Sequence, residues 1–264
     1  MALLIAVEDV GRIFRGGAKT VHAIESASFT VHEGSFVSLV GPSGCGKSTL
    51  LKIASGLLPA TSGRVLIDGK SVDGPLKNVG MVFQAPVLLK WRSVLGNVLL
   101  PVEFARLERT DYLERAGSLI RLVGLAGFEG MPPYELSGGM QQRVSLCRAL
   151  VTDPQILLMD EPFGALDAMT RDELDIELLR IWGEKKMTVL FVTHNIQEAV
   201  FLSDSVVVMS PRPGRVIREL AVDLPRPRTL EMMSSSEFGR YALEIRSMLA
   251  SAGGTPSATL GSTT

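Results

Sequence analysis

The residues with the clearest chemical use lie at positions 41–48, which read Gly-Pro-Ser-Gly-Cys-Gly-Lys-Ser. They fit the pattern G-x-x-x-x-G-K-[ST], in which Lys47 would reach the β- and γ-phosphates of a nucleotide and Ser48 would ligate Mg²⁺. Residues 36–40 are typical of a buried strand and residues 47–56 of a helix, so backbone N–H groups would face the anion. A glycine-rich turn without a ligand is the alternative, and the Lys-Ser-Thr that closes the loop disfavours it. The segment predicts a nucleotide-phosphate site.

Two further segments follow downstream in the chain. Residues 136–143 read Leu-Ser-Gly-Gly-Met-Gln-Gln-Arg, and residues 156–162 read Ile-Leu-Leu-Met-Asp-Glu-Pro. Together with the phosphate loop, and in this order, they resemble the ATP-binding cassette ATPases over residues 1 to 220. The LSGG element is the signature of that family. The resemblance implies a protein that binds and hydrolyses ATP.

Phosphoryl transfer to water needs charge neutralisation, in-line geometry and a positioned base. Asp160 ends an apolar strand, where its carboxylate can hold Mg²⁺ through water beside Ser48. Glu161 is the general base that the resemblance implies, polarising the attacking water. A pair of carboxylates making surface contacts is the alternative, and the apolar run before them and Pro162 after them disfavour it.

Three more residues take roles from the resemblance. His194 follows the strand-like residues 189–193 and matches the family's switch histidine, which contacts the γ-phosphate and helps to orient Glu161 and water. The family usually has Asp after this histidine, whereas this chain has Asn195. Gln84 matches the glutamine loop, able to touch Mg²⁺ and water, although a loop glutamine is usually only solvated. Phe14 would stack on adenine, a contact worth roughly 1–3 kcal/mol by analogy with nucleic-acid platforms, or it is a plain core residue.

The signature begins a helix whose N-terminus, with a serine cap and bare glycine amides, is a second anion site. The resemblance implies a head-to-tail homodimer, or a dimer with a similar cassette, in which each ATP lies between one chain's phosphate loop and the other chain's signature. Asp167 matches the loop that crosses this interface. Closure of the dimer would then need ATP on both sides, and hydrolysis would let it reopen.

The predicted ATP-contacting residues are Phe14, Gly41, Pro42, Ser43, Gly44, Cys45, Gly46, Lys47, Ser48, Thr49 and Asp167, with Ser137, Gly138 and Gly139 reaching the partner chain's ATP. The predicted catalytic residues are Glu161, His194, Gln84 and Lys47, and the predicted Mg²⁺ ligands are Ser48, Gln84 and Asp160. The predicted cofactors are ATP and Mg²⁺.

Composition sets broad limits on the class of protein. The 264 residues are 46% hydrophobic and 21% charged with a net charge of −1, an ordinary globular balance that gives no global case for nucleic-acid binding. Two cysteines, Cys45 and Cys147, do not suggest a disulfide framework. Cys45 is either a reactive thiol, because helix N-termini lower thiol pKa values, or simply a small residue that fits.

No apolar run approaches the roughly 18 to 20 residues that a membrane span needs. The first residues lack a basic leader and soon meet Glu8 and Asp9, which favours a strand over a signal peptide. We therefore expect a protein that is soluble by itself, attached to a membrane only through partners.

The pattern of strands and helices predicts an α/β fold. We expect a phosphate-loop NTPase core with a mixed sheet, flanking helices and an antiparallel β subdomain, plus an α-helical subdomain inserted at about 86–152. The core domain would span 1–225, and 226–264 would hold a C-terminal helix and a disordered tail. The predicted strands are 4–8, 21–31, 36–40, 64–68, 79–83, 156–160, 189–193, 203–208 and 215–220. The predicted helical segments are 47–56, 94–151, 168–184 and 236–249, and the predicted disordered tail is 251–264.

Three segments resemble the import cassettes that serve nitrate, sulfonate and taurine uptake: 84–97, 163–171 and 210–214. Lys90 and Gly96 depart from that subgroup, which has Pro and Glu there, in the region expected to receive a membrane subunit. The implied partners are transmembrane permease subunits and an extracellular or periplasmic solute-binding protein, with the chain at the cytoplasmic face of the plasma membrane. Cassettes for thiamine-precursor pyrimidines or riboflavin are alternatives, as are, less strongly, export and non-transport cassettes.

Overall fold

The structure is a computed structural model that describes residues 2–16, 19–164 and 166–253. Within them the chain forms ten strands and eight α-helices. The strands are β1 Leu3–Gly16, β2 Lys19–His32, β3 Phe36–Val40, β4 Ser62–Ile67, β5 Lys70–Ser71, β6 Val79–Val82, β7 Ile156–Asp160, β8 Thr188–Thr193, β9 Ser205–Met209 and β10 Gly214–Ala221. The helices are α1 Lys47–Ala54, α2 Val94–Val98, α3 Leu100–Phe104, α4 Thr110–Leu122, α5 Gly138–Leu150, α6 Ala168–Lys185, α7 Ile196–Leu202 and α8 Ser236–Ala252.

The strands form one mixed sheet in the order β5-β4-β1-β2-β10-β9-β3-β8-β7-β6. At one end β5, β4, β1 and β2 pair antiparallel. At the other end β9, β3, β8, β7 and β6 pair parallel. Strand β10 joins the two parts, parallel to β2 and antiparallel to β9. This architecture confirms the predicted fold class.

Strands β3, β7 and β8 are buried along their whole length. Such continuous apolar runs are typical of parallel strands covered on both faces, because a half-exposed strand would alternate apolar and polar residues. One core contains Phe36, Phe191 and residues of α2, α4, α5, α6, α7 and α8. The other contains Leu39, Leu190, helix α1 and the antiparallel strands. The sheet therefore separates two apolar layers.

The region predicted as helical over 94–151 is divided into four α-helices. Pro101 lies in the first turn of α3, where its missing N–H costs nothing. Gly124 ends α4 with a φ of +71°, a conformation that favours glycine. On α4 the side chains of Ala116 and Ile120 are fully buried, whereas that of Leu113 is 41% exposed.

Helix α8 extends three residues beyond its predicted end at 249. Ser251 and Ala252, predicted to lie in a disordered tail, therefore belong to the helix, and Gly253 follows as its C-cap. Residues 254–264 of the predicted tail lie outside the described residues. Across the described chain, none of the helices has both the length and the apolar composition required to cross a bilayer.

Helix α7 was not predicted, since it has only seven residues. Its N-terminus is capped by the Asn195 side chain, which accepts hydrogen bonds from the backbone N–H groups of Gln197 and Glu198. Asparagine is among the best N-cap residues, so the change from the family's usual Asp keeps this function.

The C-terminal segment closes the other end of α7. Arg228 is 6% exposed and donates hydrogen bonds to the carbonyl oxygens of Val200 and Phe201, both at 2.8 Å. Burial lowers the pKa of Arg228 to about 10, so the side chain remains protonated near neutral pH. A buried arginine therefore satisfies carbonyl groups that the end of the helix leaves without partners.

We predict that Arg228→Met lowers the free energy of unfolding by about 3 kcal/mol, because it leaves buried carbonyl oxygens without charged donors. Urea unfolding followed by circular dichroism measures the loss. The matched control is Arg218→Met, since Arg218 is 62% exposed and its ion pair with Glu244 spans 3.9 Å. We expect that control to change stability by less than about 0.5 kcal/mol, and equal losses in both variants would contradict the assignment.

Candidate active site

The parallel strands bring the predicted catalytic segments to one edge of the sheet. In the ladder Val40 lies opposite Thr193, and Asp160 lies opposite Val192. Strand β6 ends at Val82, which lies opposite Met159. The chain therefore leaves β3, β6, β7 and β8 at nearly the same level, and the next residues meet above that edge.

The phosphate loop joins β3 to α1. Gly46 caps α1 with a φ of 103°, and a Cβ atom at that position would lie 2.7 Å from Cγ1 of Ile24 and 3.0 Å from the carbonyl oxygen of Ala23. Only glycine fits this backbone and this contact. The first N–H groups of α1 are consequently left to bind an anion.

Lys47 is 4% exposed, although its ammonium group is charged. Its Nζ atom donates hydrogen bonds to the carbonyl oxygens of Gly41 at 2.8 Å and Pro42 at 3.2 Å. It also lies 3.9 Å from Oε1 of Glu161. The lysine is therefore held across the loop with its ammonium group near the carboxylate of Glu161.

Asp160 lies behind the loop, where Ser48 Oγ donates a hydrogen bond of 2.7 Å to its Oδ1. Burial raises the pKa of Asp160, and the Ser48 hydrogen bond partly opposes that shift. A bound cation would favour the ionised form of this carboxylate. Hydroxyl and carboxylate oxygens are the ligands that Mg²⁺ prefers, so this pair fits the ion.

Glu161 lies at the centre of the site. Its Oε2 atom is 3.0 Å from Nδ1 of His194 and 3.5 Å from Nε2 of Gln84. The residue has a φ of +44°, and its backbone N–H donates to the carbonyl oxygen of Val192 at 2.8 Å. A non-glycine residue in this conformation costs of order 1–3 kcal/mol, and such strain concentrates at functional sites.

His194 is held by the residues on either side of it. The backbone N–H of Asn195 donates to the Thr193 hydroxyl at 2.9 Å, and that hydroxyl donates to the buried carboxylate of Glu198. The imidazole itself is 55% exposed. Its position is thus defined by its neighbours while the ring stays open to the solvent.

A cleft of about 340 Å³ runs along the phosphate loop. Its described lining comprises Phe14, Val21, Ala23, Ser43, Gly44, Gly46, Lys47, Ser48, Thr49, Gln84, Glu161 and Arg212. Phe14 is 38% exposed, and the Arg12 guanidinium lies 4.6 Å from its ring centroid. Phe14 is therefore a cleft residue with an exposed ring surface and not a plain core residue.

Seven of the predicted ATP-contacting residues lie outside this lining: Gly41, Pro42 and Cys45 in the phosphate loop, and Ser137, Gly138, Gly139 and Asp167 elsewhere in the chain. Ser137 is exposed and caps α5 by accepting a hydrogen bond from the N–H of Met140. Asp167 caps α6 in the same way, and the hydrogen bond from Thr170 lowers the pKa of its carboxyl group. The signature and the phosphate loop of one chain therefore do not share one cleft.

The structure also shows contacts that the sequence analysis missed. Gln142 on α5 donates to the carbonyl oxygen of Phe83 at 3.1 Å, and Arg148 donates to those of Pro86 and Val87, both at 2.8 Å. These bonds tie the signature helix to the Gln84 loop. Arg212 was missed as well, since it follows β9 far from any other site segment in the chain.

The remaining predicted phosphate-loop contacts face the protein. The carbonyl oxygens of Gly41 and Pro42 accept hydrogen bonds from Lys47 Nζ. The Cys45 side chain is fully buried. Burial is the largest cause of a raised pKa for the Cys45 thiol, and it outweighs the nearby Lys47 charge. The burial of Cys45 therefore favours the other interpretation, in which this small residue fills the space beneath the loop.

A glycine-rich loop above the carboxyl ends of parallel strands, facing a carboxylate pair, is the arrangement of phosphate-loop nucleotide hydrolases. The chain is one of these enzymes.

Comparison with known proteins identifies the family within this class of enzymes. Residues 24–164 match the ABC transporter family. The taurine import ATP-binding protein TauB of Rhizobium johnstonii is 48% identical over 237 residues, 88% of this chain and 90% of that protein. The aliphatic sulfonates import ATP-binding protein SsuB of Bacillus cereus is 41% identical over 243 residues, 92% of this chain and 95% of that protein.

A solved structure supports the same family assignment. The dimeric post-hydrolysis state of the ATP-binding cassette MJ0796, bound to ADP and Pi, has a TM-score of 0.76 and 31% identity. The match covers 84% of this chain and 100% of the MJ0796 chain. The chain therefore belongs to the ABC transporter family, as an ATP-binding subunit that hydrolyses ATP.

We predict that neither Cys45 nor Cys147 of the native protein reacts readily with a thiol reagent near pH 8. Both side chains are buried, and burial raises the pKa of both thiols, so little thiolate is present. Ellman's reagent measures the accessible thiols, and both should react once the protein is denatured. Fast reaction of one thiol in the native protein, blocked by Cys45→Ser, would contradict this prediction.

Proposed function

We propose that this chain energises the import of a small sulfonate, with taurine as the first candidate, through separate membrane subunits. The observation that carries the solute class is the similarity to TauB and SsuB over about nine-tenths of the chain. The resemblance of segments 84–97, 163–171 and 210–214 to the same import subgroup supports it. The ATPase reaction itself follows from family membership.

Glu161 would act as the general base. Its Oε2 contacts the imidazole of His194 and the amide of Gln84, so the carboxylate is fixed beside the place where a water would approach the γ-phosphate. Lys47 would exchange its carbonyl partners for phosphate oxygens, and His194 would help to orient Glu161. The 3.9 Å separation between Lys47 Nζ and Glu161 Oε1 places positive charge next to the base.

Ser48, Asp160 and Gln84 would hold Mg²⁺ together with the nucleotide. When bound, that ion neutralises negative charge on the phosphates. Asp160 is suited to this task because its carboxylate is buried and has the Ser48 hydroxyl as its hydrogen-bond donor.

Two copies of the chain would complete each ATP site. Ser137 and Gly138 are exposed at the N-terminus of α5, and neither lines the cleft of its own chain. A helix N-terminus with free amides attracts phosphate, so the signature of a second copy would cover the ATP bound by the first. MJ0796, one of the similar cassettes of known structure, is dimeric in its post-hydrolysis state.

The membrane subunits would dock beside the Gln84 loop, placing the chain at the cytoplasmic face of the membrane. Val87 and Trp91 in this loop are 62% and 79% exposed, large apolar surfaces of a kind that mark interaction sites. Gln142 and Arg148 tie the same loop to the signature helix. Binding of a permease could thereby be transmitted to the ATP site.

Co-purification from native membranes tests the proposed solute. We expect the chain to elute with a multi-span permease and a solute-binding protein, and mass spectrometry identifies both. Calorimetry on that binding protein should then show tight binding of taurine or an alkanesulfonate. A binding protein that ignores sulfonates would overturn the solute, and co-elution with nucleic acid or ribosomes would overturn the transport role.

We predict that Glu161→Gln lowers ATP turnover by about a hundredfold or more, since an amide cannot accept the proton from water. ATP binding should persist, because Lys47 and the phosphate loop are unchanged. Phosphate release and ATP calorimetry measure the two effects. Glu173→Gln is the control, with a side chain that is 73% exposed. Normal turnover in Glu161→Gln would remove this residue from the role of base.

A further inference from the structure

The turn between β9 and β10 packs directly against the phosphate loop. A Cβ atom on Gly214 would lie 1.9 Å from the carbonyl oxygen of Cys45, so the two backbones approach as closely as glycine allows. Two residues earlier, Nε of Arg212 donates a hydrogen bond of 3.1 Å to the carbonyl oxygen of Gly44. The arginine is therefore anchored on the phosphate loop from outside the loop's own segment.

Arg212 also lines the nucleotide cleft, together with Ser43, Gly44 and Lys47. The residue is exposed, and Nη2 lies 3.3 Å from the place where a Cβ atom on Gly44 would stand. Among the described residues, the bond from Nε is the one hydrogen bond of this guanidinium to the protein. Its remaining N–H groups are available to a ligand in the cleft.

The neighbouring Arg215 provides the contrast. Its Nε lies 3.2 Å from Oε2 of Glu25, and the residue is absent from the lining of the cleft. Arg212 in the turn and Arg215 at the start of β10, three positions apart, thus differ in their surroundings. Arg215 has a carboxylate partner, whereas Arg212 has a phosphate-loop carbonyl and an open side facing the cleft.

The position of Arg212 along the cleft indicates which part of a nucleotide it would meet. The γ-phosphate end is marked by Glu161 and Gln84, and the base end by Phe14. Arg212 is anchored at Gly44, and in the described part of the chain no hydrogen bond or ion pair joins it to Glu161. The α- and β-phosphates are the anionic groups between those two ends.

We propose that Arg212 binds the α- and β-phosphates of the nucleotide. A guanidinium matches phosphate oxygens with paired N–H donors, and here its orientation is already set by the bond to Gly44, so little side-chain entropy is lost on binding. The proposal rests on the proposed nucleotide site. Because ATP and ADP share these two phosphates, Arg212 contributes equally to the affinity for both.

The test measures dissociation constants for ATP and ADP by calorimetry on the full chain, with Arg212→Gln, Arg212→Lys and the control Arg215→Gln. We expect Arg212→Gln to weaken both nucleotides by the same factor, roughly tenfold or more, as the loss of a charge-assisted hydrogen bond implies. Arg212→Lys should fall between wild type and Arg212→Gln, and Arg215→Gln should bind as wild type does. The thermal midpoint without nucleotide should stay unchanged in Arg212→Gln.

Three results would overturn the proposal. Unchanged affinities in Arg212→Gln would show that the side chain does not touch the nucleotide. A loss for ATP alone would place it at the γ-phosphate instead. A loss for both nucleotides with a lowered midpoint of the nucleotide-free protein would show that it only supports the loop. If the wild-type chain bound neither nucleotide, the proposed site itself would fail, which is a separate result.

Discussion

Parallel pairing of β3, β8, β7 and β6 in one register holds the predicted catalytic segments together. Val40 lies opposite Thr193, and Asp160 lies opposite Val192, so the residues that follow these strands leave the sheet side by side. A slip of one residue would shift Glu161 by about 3.3 Å and turn the side chains of β7 to the opposite face. The continuous burial of these strands makes such a slip costly, because both faces pack against apolar layers.

The charges at this edge are stable only as a set. Lys47 and Asp160 are each 4% exposed, and neither charge would be tolerated there without partners. Lys47 has two carbonyl oxygens and Glu161, while Asp160 has the Ser48 hydroxyl. Glu161 adds a strained backbone that its hydrogen bond to Val192 helps to hold. Bound nucleotide would bring negative charge to Lys47, and a bound cation would bring positive charge to Asp160.

Much of the fold follows from local patterns in the sequence. Strands β3 and β7 have the predicted bounds, because an unbroken apolar run between turn residues has few other interpretations. Strands β1 and β2 are longer than predicted, at 14 residues each, since the residues beyond the predicted bounds include the polar or charged Asp9, Arg12, Arg15, Thr20 and His32. Helix α7 is too short for a helical period of apolar residues to be recognised in the sequence.

The part of the site that lies in contiguous sequence motifs could also be predicted. The phosphate loop and Glu161 stand in contiguous motifs, whereas the contacts of Gln142, Arg148 and Arg212 depend on carbonyl oxygens 59 to 168 positions away in the chain. No local pattern specifies such partners. The burial of Cys45 and the exposure of Leu113 likewise depend on neighbouring segments.

The central claim is that one chain supplies the phosphate loop and Glu161 of an ATP site while a second copy supplies the signature. Mixing two inactive variants tests it most directly: Glu161→Gln, which lacks the base, and Ser137→Glu, which repels phosphate at the signature. In a mixed dimer one site carries both defects and the other is intact. The account predicts that an equal mixture regains ATP turnover, up to roughly a quarter of the wild-type rate. A mixture no faster than the two variants measured separately would contradict it.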